Sequence, residues 1–268
     1  MDTLELLKNY TNSNTIIIDN LDTYPDYILK LLTKKGKIIT DYNIEMQKHY
    51  EICKERGYSP TSFQLGSSIE LDELISEICE YLYLNNYNVL AFHVCRLTNE
   101  EYKTIKKTGL KNINYEFLYE RISNLVVQNI IDESEGNELI LAINNKEKRL
   151  NNMLGVFCGS QYFNTPEYCV FFENWGGMII SNHYNNDNLK EKLRSMSKPF
   201  MLLYSVETSK INNLKTIVKN ILINGNDLIK KSISTEFYMN IESKFLDILN
   251  IEDRNDKIII LGKNDSKK

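Results

Sequence analysis

Val89-Leu90-Ala91-Phe92-His93-Val94-Cys95-Arg96-Leu97-Thr98, followed by Asn99-Glu100-Glu101-Tyr102-Lys103-Thr104-Ile105-Lys106-Lys107-Thr108-Gly109-Leu110, decides how this chain folds. The first part is apolar and rich in β-branched and aromatic residues, the composition of a buried strand, yet it carries one histidine and ends in an arginine. Thr98 reads as an N-cap, and Glu101 three residues on completes a capping box. Gly109 stops the short helix where a left-handed residue is wanted. A strand that presents an imidazole and turns at once into a helix is a common way to build one wall of a cleft.

Toward the N-terminus, residues 1–86 are expected to form a mainly helical region with brief strands. Thr15-Ile16-Ile17-Ile18 and Lys37-Ile38-Ile39-Thr40 read as short β runs on either side of a helix near 25–34. A helix over 44–56 is broken by Gly57-Tyr58-Ser59-Pro60. Ile69, Leu71, Leu74, Ile75, Ile78, Cys79 and Leu82 then recur at the spacing of an amphipathic helix.

Toward the C-terminus, 115–150 reads as helices, with Ser134-Glu135-Gly136-Asn137 as the turn between them. Strands are expected at 155–159, 178–181, 199–206 and 257–261, and Thr165-Pro166 opens a helix that Gly176-Gly177 stops. Residues 232–240 alternate, with Ile233, Thr235, Phe237 and Met239 on one side and Ser234, Glu236, Tyr238 and Asn240 on the other. Strands and helices without a regular βαβ rhythm predict an α+β fold with mixed sheets. The domain division that follows is 1–86, 87–262 and a polar, disordered tail at 263–268. Neither GxGxxG nor GxxxxGK[ST] occurs, which argues against Rossmann and P-loop nucleotide sites.

The 268 residues carry a net charge of −4, so the chain as a whole is no electrostatic trap for nucleic acid. Lys103, Lys106, Lys107 and Lys111 cluster on or just after one helix, and their plain reading is a solvated face. Cys53, Cys79, Cys95, Cys158 and Cys169 are odd in number and lack CxxC spacing, which fits reduced thiols in a cytoplasmic protein rather than a disulfide framework or a metal site. The N-terminus does not resemble a secretory signal, and no apolar run approaches the roughly 20 residues that a membrane span needs.

Few side chains here can carry chemistry. His93 shares its strand face with the small residues Val89, Ala91 and Cys95, which leaves room for a ligand, and an imidazole can bond ribose hydroxyls as donor or acceptor. The competing reading is a satisfied core histidine. Arg96 suits a phosphate or carboxylate, or a structural pair. Glu236 stands on an alternating strand with an apolar opposite face, so the fold can hold its carboxylate toward a cleft. Such a carboxylate can orient a ribose hydroxyl and stabilise an oxocarbenium-like centre. Tyr162 and Phe157 offer aromatic surface for a planar ring. Trp175-Gly176-Gly177 reads as a helix stop with an anchoring ring, or as a close backbone approach to a ligand. His49 and His183 lack partners at metal spacing. There is no GxSxG elbow and no Cys–His pair at a recognisable spacing.

Phe92-His93-Val94-Cys95-Arg96-Leu97, Gly155-Val156-Phe157-Cys158-Gly159-Ser160-Gln161-Tyr162-Phe163 and Thr235-Glu236-Phe237-Tyr238-Met239-Asn240-Ile241 follow one another in an order that resembles the ADP-ribosyltransferase fold. The resemblance is to its H-Y-E kind, shared by diphtheria-toxin-like and poly(ADP-ribose) polymerase-like enzymes, and covers roughly 88–262. It implies a split mixed or antiparallel sheet, NAD as the bound substrate, and a protein or nucleic-acid acceptor in the cell, in a setting such as bacterial defence or toxin action. Carried over, His93 holds the nicotinamide ribose and adenosine side, Tyr162 or Phe157 stacks on nicotinamide, and Glu236 polarises the ribose 2′-hydroxyl. An R-S-E arrangement would instead use Arg96, Ser160 and a carboxylate. The chain also resembles uncharacterised bacterial proteins in which Trp-Gly-Gly is followed by glutamate, where Met178 stands here. That departure keeps open a non-catalytic module that binds NAD or ADP-ribose or a protein partner. A third possibility, transfer involving a phosphorylated RNA end, would follow from RNA 2′-phosphotransferases sharing the fold, but it needs a basic cleft.

Overall fold

The computed structural model describes residues 3–18, 20–57, 68–110, 114–144, 154–157, 175–176, 186–211, 214–224, 236–239, 244–253 and 258–260. In chain order these give α1 (Thr3–Lys8), β1 (Thr15–Ile16), α2 (Asp26–Lys34), α3 (Gly36–Glu55), α4 (Ile69–Leu84), β2 (Asn88–Leu97), α5 (Asn99–Thr108), α6 (Tyr115–Val127) and α7 (Glu133–Asn144). There follow β3 (Leu154–Phe157), α8 (Asp187–Ser195), β4 (Lys198–Glu207), α9 (Leu214–Asn224), β5 (Glu236–Met239), β6 (Lys244–Asp253) and β7 (Ile258–Ile260). The fold is α+β, built on one mixed sheet. No helix among the described residues is long and apolar enough to cross a membrane.

The stretch that opens the sequence folds as its residues dictate. β2 is buried along nearly its whole length, and Thr98 caps α5: its Oγ1 accepts from Glu101 N at 3.2 Å, while Glu101 Oε2 accepts from Thr98 N at 2.8 Å. Gly109 ends α5 with φ 72° and ψ 174°, a region that only glycine enters without strain. A Cβ there would also lie 3.1 Å from Cβ of Phe245. The next residue, Leu110, donates its N–H to the Tyr204 hydroxyl on β4, which ties the exit of α5 to the sheet.

The sheet runs β5-β3-β2-β4-β6-β7 with antiparallel neighbours, and β1 lies off this path, parallel to β2. β4 follows one edge of β2 from Asn88 to Leu97. The other edge is shared: β1 pairs with Asn88 and Val89, and β3 meets Phe92. Between them Leu90 and Ala91 have no strand partner on that edge among the described residues.

Two apolar layers sandwich the sheet. Val89, Ala91, Cys95, Leu202 and Tyr204 on one face pack with Ile28, Leu71, Leu74 and Ile78 from α2 and α4 and with Val218 from α9. Leu90, Phe92, Val94, Met201 and Leu203 on the other face pack with Leu7 of α1 and with Ile17. The core is therefore continuous across residue 86. A third cluster joins α6, α7, α8 and Trp175.

Two local expectations are corrected. Lys37–Thr40 is not a β run but the first turns of α3, which starts at Gly36 directly after α2; helical context overrides the β preference of Ile38 and Ile39. The Ser134–Asn137 stretch is helical rather than a turn, because Asp132 and Glu135 form a reciprocal cap, each side chain accepting from the other's N–H at 2.8 Å. Gly136 serves close approach: a Cβ there would meet Val126 Cγ2 at 2.8 Å. The turn lies earlier, at Asn129 with φ 55°. The helices α8 and α9 and the strand β6 are not anticipated by the sequence reading. The expected helix from Pro166, the strand at 178–181 and the tail lie outside the described residues.

Gly109→Ala is expected to lower unfolding stability by about 1–3 kcal/mol through forced backbone strain. Urea denaturation followed by circular dichroism measures this, and an unchanged midpoint would refute it.

Candidate functional site

β2 carries His93 at its centre. The register sets His93 opposite Leu202 on β4, and Phe92 opposite Leu203 and Phe157. Phe157 is in turn opposite Glu236, the first residue of β5. Glu236, Phe157, Phe92 and Leu203 thus form one cross-strand row, which continues to Asp247 on β6. Of the residues read as chemical from the sequence, the sheet brings Glu236 and Phe157 side by side.

His93 stands one residue out of that row. Successive strand residues alternate between faces, so His93 belongs to the face of Ala91 and Cys95 and Phe92 to the other. His93 is half-buried, whereas Leu202 opposite it is fully buried. Phe92 and Leu203, in the row of Glu236, are both buried in the second apolar layer. Ser160 and Tyr162 lie outside the described residues.

Arg96, at the end of β2, is engaged by protein. Its Nε donates to Ser197 Oγ at 3.1 Å, and its Nη2 donates to the carbonyls of Ser197 at 2.6 Å and Arg194 at 3.0 Å. Arg194 lies in the last turn of α8 and Ser197 just past its C-cap Met196, so the guanidinium sits at the helix C-terminal end, where a cation is favoured. Burial, with the nearby Arg194 charge, pulls its pKa below the ordinary arginine value. The basic helix face is also partly occupied: Lys103 pairs with Glu100 at 2.6 Å, and Lys106 Nζ sits 3.1 Å from the Tyr102 hydroxyl.

Immediately after β2 lies a polar cluster whose extent the sequence does not show. Glu101, already the capping-box residue, accepts at Oε1 from Arg121 Nε at 2.6 Å and at Oε2 from Trp175 Nε1 at 3.1 Å. The Arg121 guanidinium lies over the Trp175 ring, 4.5 Å from its centroid, and 5.7 Å from that of Phe117. Both ion-pair partners are well buried, with side-chain exposures of 17% for Glu101 and 12% for Arg121. Burial pushes the Glu101 carboxyl up, but the Arg121 charge and the hydrogen bonds outweigh it and hold the carboxyl below its ordinary range. Neighbouring Cys95 behaves oppositely: burial pushes its thiol up to about 12, an inert form at neutral pH. Glu101 thus joins the end of β2, the start of α5, α6 and the Trp175-Gly176 turn. Of this set, the capping box is visible in sequence; the reach to Arg121, 20 residues on, and Trp175, 74 residues on, is not.

A thiol–imidazole contact is present after all: Cys53 Sγ lies 3.5 Å from His49 Nε2, one turn apart on α3. The i, i+4 spacing is the signal that reveals it. Cys53 is buried at 2% exposure, so the contact is packed rather than presented.

No protein-family model matches the chain, and no curated protein or solved structure is significantly similar to it.

Glu101→Gln is expected to cost about 3 kcal/mol at neutral pH, because it strands the buried Arg121 charge. Since the folded carboxyl titrates below its unfolded value, its contribution is present above the unfolded pKa and lost as pH falls through the folded one. Stability measured from pH 7 downward should therefore fall less steeply in the variant than in the parent protein. Parallel curves would contradict the role of this carboxylate.

Proposed function

We propose that this protein is an ADP-ribosyltransferase that uses NAD and modifies a macromolecular acceptor, a protein or a nucleic acid. One observation supports the reading above the others: β5 sets Glu236 opposite Phe157, in the row that reaches the His93 strand at Phe92. Glu236 and Phe157, distant in sequence, are thereby paired, while His93 stands on the other face of β2, next to Phe92. Their chemistry suits NAD, with a carboxylate and an imidazole for ribose hydroxyls and aromatic residues for the nicotinamide ring.

In this reading Glu236 orients the ribose 2′-hydroxyl and stabilises positive charge developing at the anomeric carbon as the glycosidic C–N bond breaks. Nicotinamide leaves with the bonding electrons, and a lone pair of the acceptor nucleophile forms the new bond. The acceptor's proton passes to solvent. His93 serves in binding, from the row adjacent to that of Glu236. Phe157, with Tyr162 as the family's stacking residue, supplies the aromatic surface. With Arg96 held by the end of α8, the H-Y-E assignment is preferred to R-S-E.

The register also favours a second reading. His93 and Phe92 alternate to opposite faces, and the Glu236 row runs into buried Phe92 and Leu203. This suits a non-catalytic module that binds NAD or ADP-ribose, or a protein partner.

NAD labelled in its nicotinamide separates the two. The transferase reading predicts nicotinamide release, reduced by about 100-fold in Glu236→Gln with an unchanged circular dichroism spectrum. His93→Ala is expected to act mainly by raising KM. Thermal stabilisation by NAD without release supports the binding module, and full turnover in Glu236→Gln eliminates the assignment of that acid.

A further inference from the structure

The helix α3 is long but only lightly committed to the core. It runs for 20 residues, yet of its described side chains only Tyr42, Asn43 and Cys53 are buried. The shorter α4, with 16 residues, buries Leu71, Leu74, Ile75, Ile78 and Leu82. Two large apolar side chains of α3, Ile44 and Ile52, are exposed. Its N-cap, Lys35, makes no side-chain hydrogen bond and is the single residue between α2 and α3.

What α3 does bury is costly. Tyr42 is 6% exposed and Asn43 3%, and neither the Tyr42 hydroxyl nor either end of the Asn43 amide has a hydrogen-bond partner. Three of the four buried, unpartnered side-chain atoms among the described residues thus lie on two consecutive residues of one helix. Each has given up water without a replacement, and hydration returns only when the helix leaves its neighbours. Opposing this are the packing of Tyr42, Ile38, Ile39 and Met46 on the core and the Lys219 ammonium of α9, 5.3 Å from the centre of the Tyr42 ring. The sheet carries no such burden, since β2 is paired with β4 along its whole length.

We propose that α3 is a lid: it rests on α4 and α9 with the polar groups of Tyr42 and Asn43 dehydrated, and it lifts as a unit while the sheet stays folded. Local opening of this kind takes the most weakly held unit of a fold first. Tyr42 belongs to the apolar layer on the opposite side of the sheet from the Glu236 row, so the lid does not depend on the transferase reading. The chain holds its own reporters. Cys53 is a free, buried thiol on α3, and Cys95 is a free, buried thiol on β2.

The test labels the full native chain with iodoacetamide and follows each cysteine by peptide mass spectrometry. Every rate is divided by that of the same thiol in the urea-unfolded chain. On this scale Cys53 should react at least about ten-fold faster than Cys95, because the lid opens more often than the sheet. Asn43→Leu, of similar volume and with no polar atom left unpaired, should slow Cys53 by about ten-fold. Tyr42→Phe removes only the orphaned hydroxyl and should slow it by about three-fold, and it carries the test if the leucine variant does not fold. Cys53 reacting no faster than Cys95, or at an unchanged rate in every variant that folds, would overturn the lid. The second result is the one expected if only the last turn of α3 frays around Cys53.

Discussion

The Glu101 carboxylate is the constraint on which the middle of this molecule depends. Taking a carboxylate out of water is costly, and three donors from different parts of the chain offset that cost: the Thr98 amide, the Arg121 guanidinium and the Trp175 indole. A capping interaction alone would contribute about 1 kcal/mol. By combining the cap with a buried ion pair and an indole bond, the same side chain fixes where β2 ends, how α5 leaves the sheet, and where α6 and the tryptophan turn sit. Arg121 is held against the Trp175 and Phe117 rings as a result, with its Nη2 buried and without a hydrogen-bond partner.

The sheet supplies the second constraint. One edge of β2 is continuous with β4, while the other pairs with β1 at Asn88 and Val89 and with β3 at Phe92. Placing β5 outside β3 brings Glu236 into the row of Phe157 and Phe92. The one-residue offset of His93 from this row is as important as the proximity, because it assigns the imidazole to the face packed by α2, α4 and α9. Adjacent rows point to opposite faces, so Glu236 and His93 do not share one face of the sheet.

What was legible in the sequence follows from how local its causes are. The β2–α5 junction could be read because Thr98, Glu101 and Gly109 act within a few residues of one another, and α4 because its apolar spacing is regular over four turns. β6 was hidden because its sequence mixes Asp247 and Asn250 into an apolar run, and its pairing with β4 shifts register between Leu203 and Tyr204. α8 buries only Leu189 and Leu193, too short a pattern to stand out. In α3, two adjacent isoleucines imitate a strand until the preceding helix is taken into account. At the candidate site, residue types could be nominated from sequence, but the register that places Glu236 against Phe157 and separates His93 from both is a long-range property. Arg96 shows the same limit: its partners, at the C-terminal end of α8, lie about a hundred residues away.

The most direct measurement of the account is the backbone register at this corner, by nuclear Overhauser contacts in solution. Cross-strand contacts are expected from Phe92 to Phe157 and from Phe157 to Glu236, with the Glu236 amide slow to exchange. Contacts linking Glu236 to a different strand, or rapid exchange without any cross-strand contact, would contradict it.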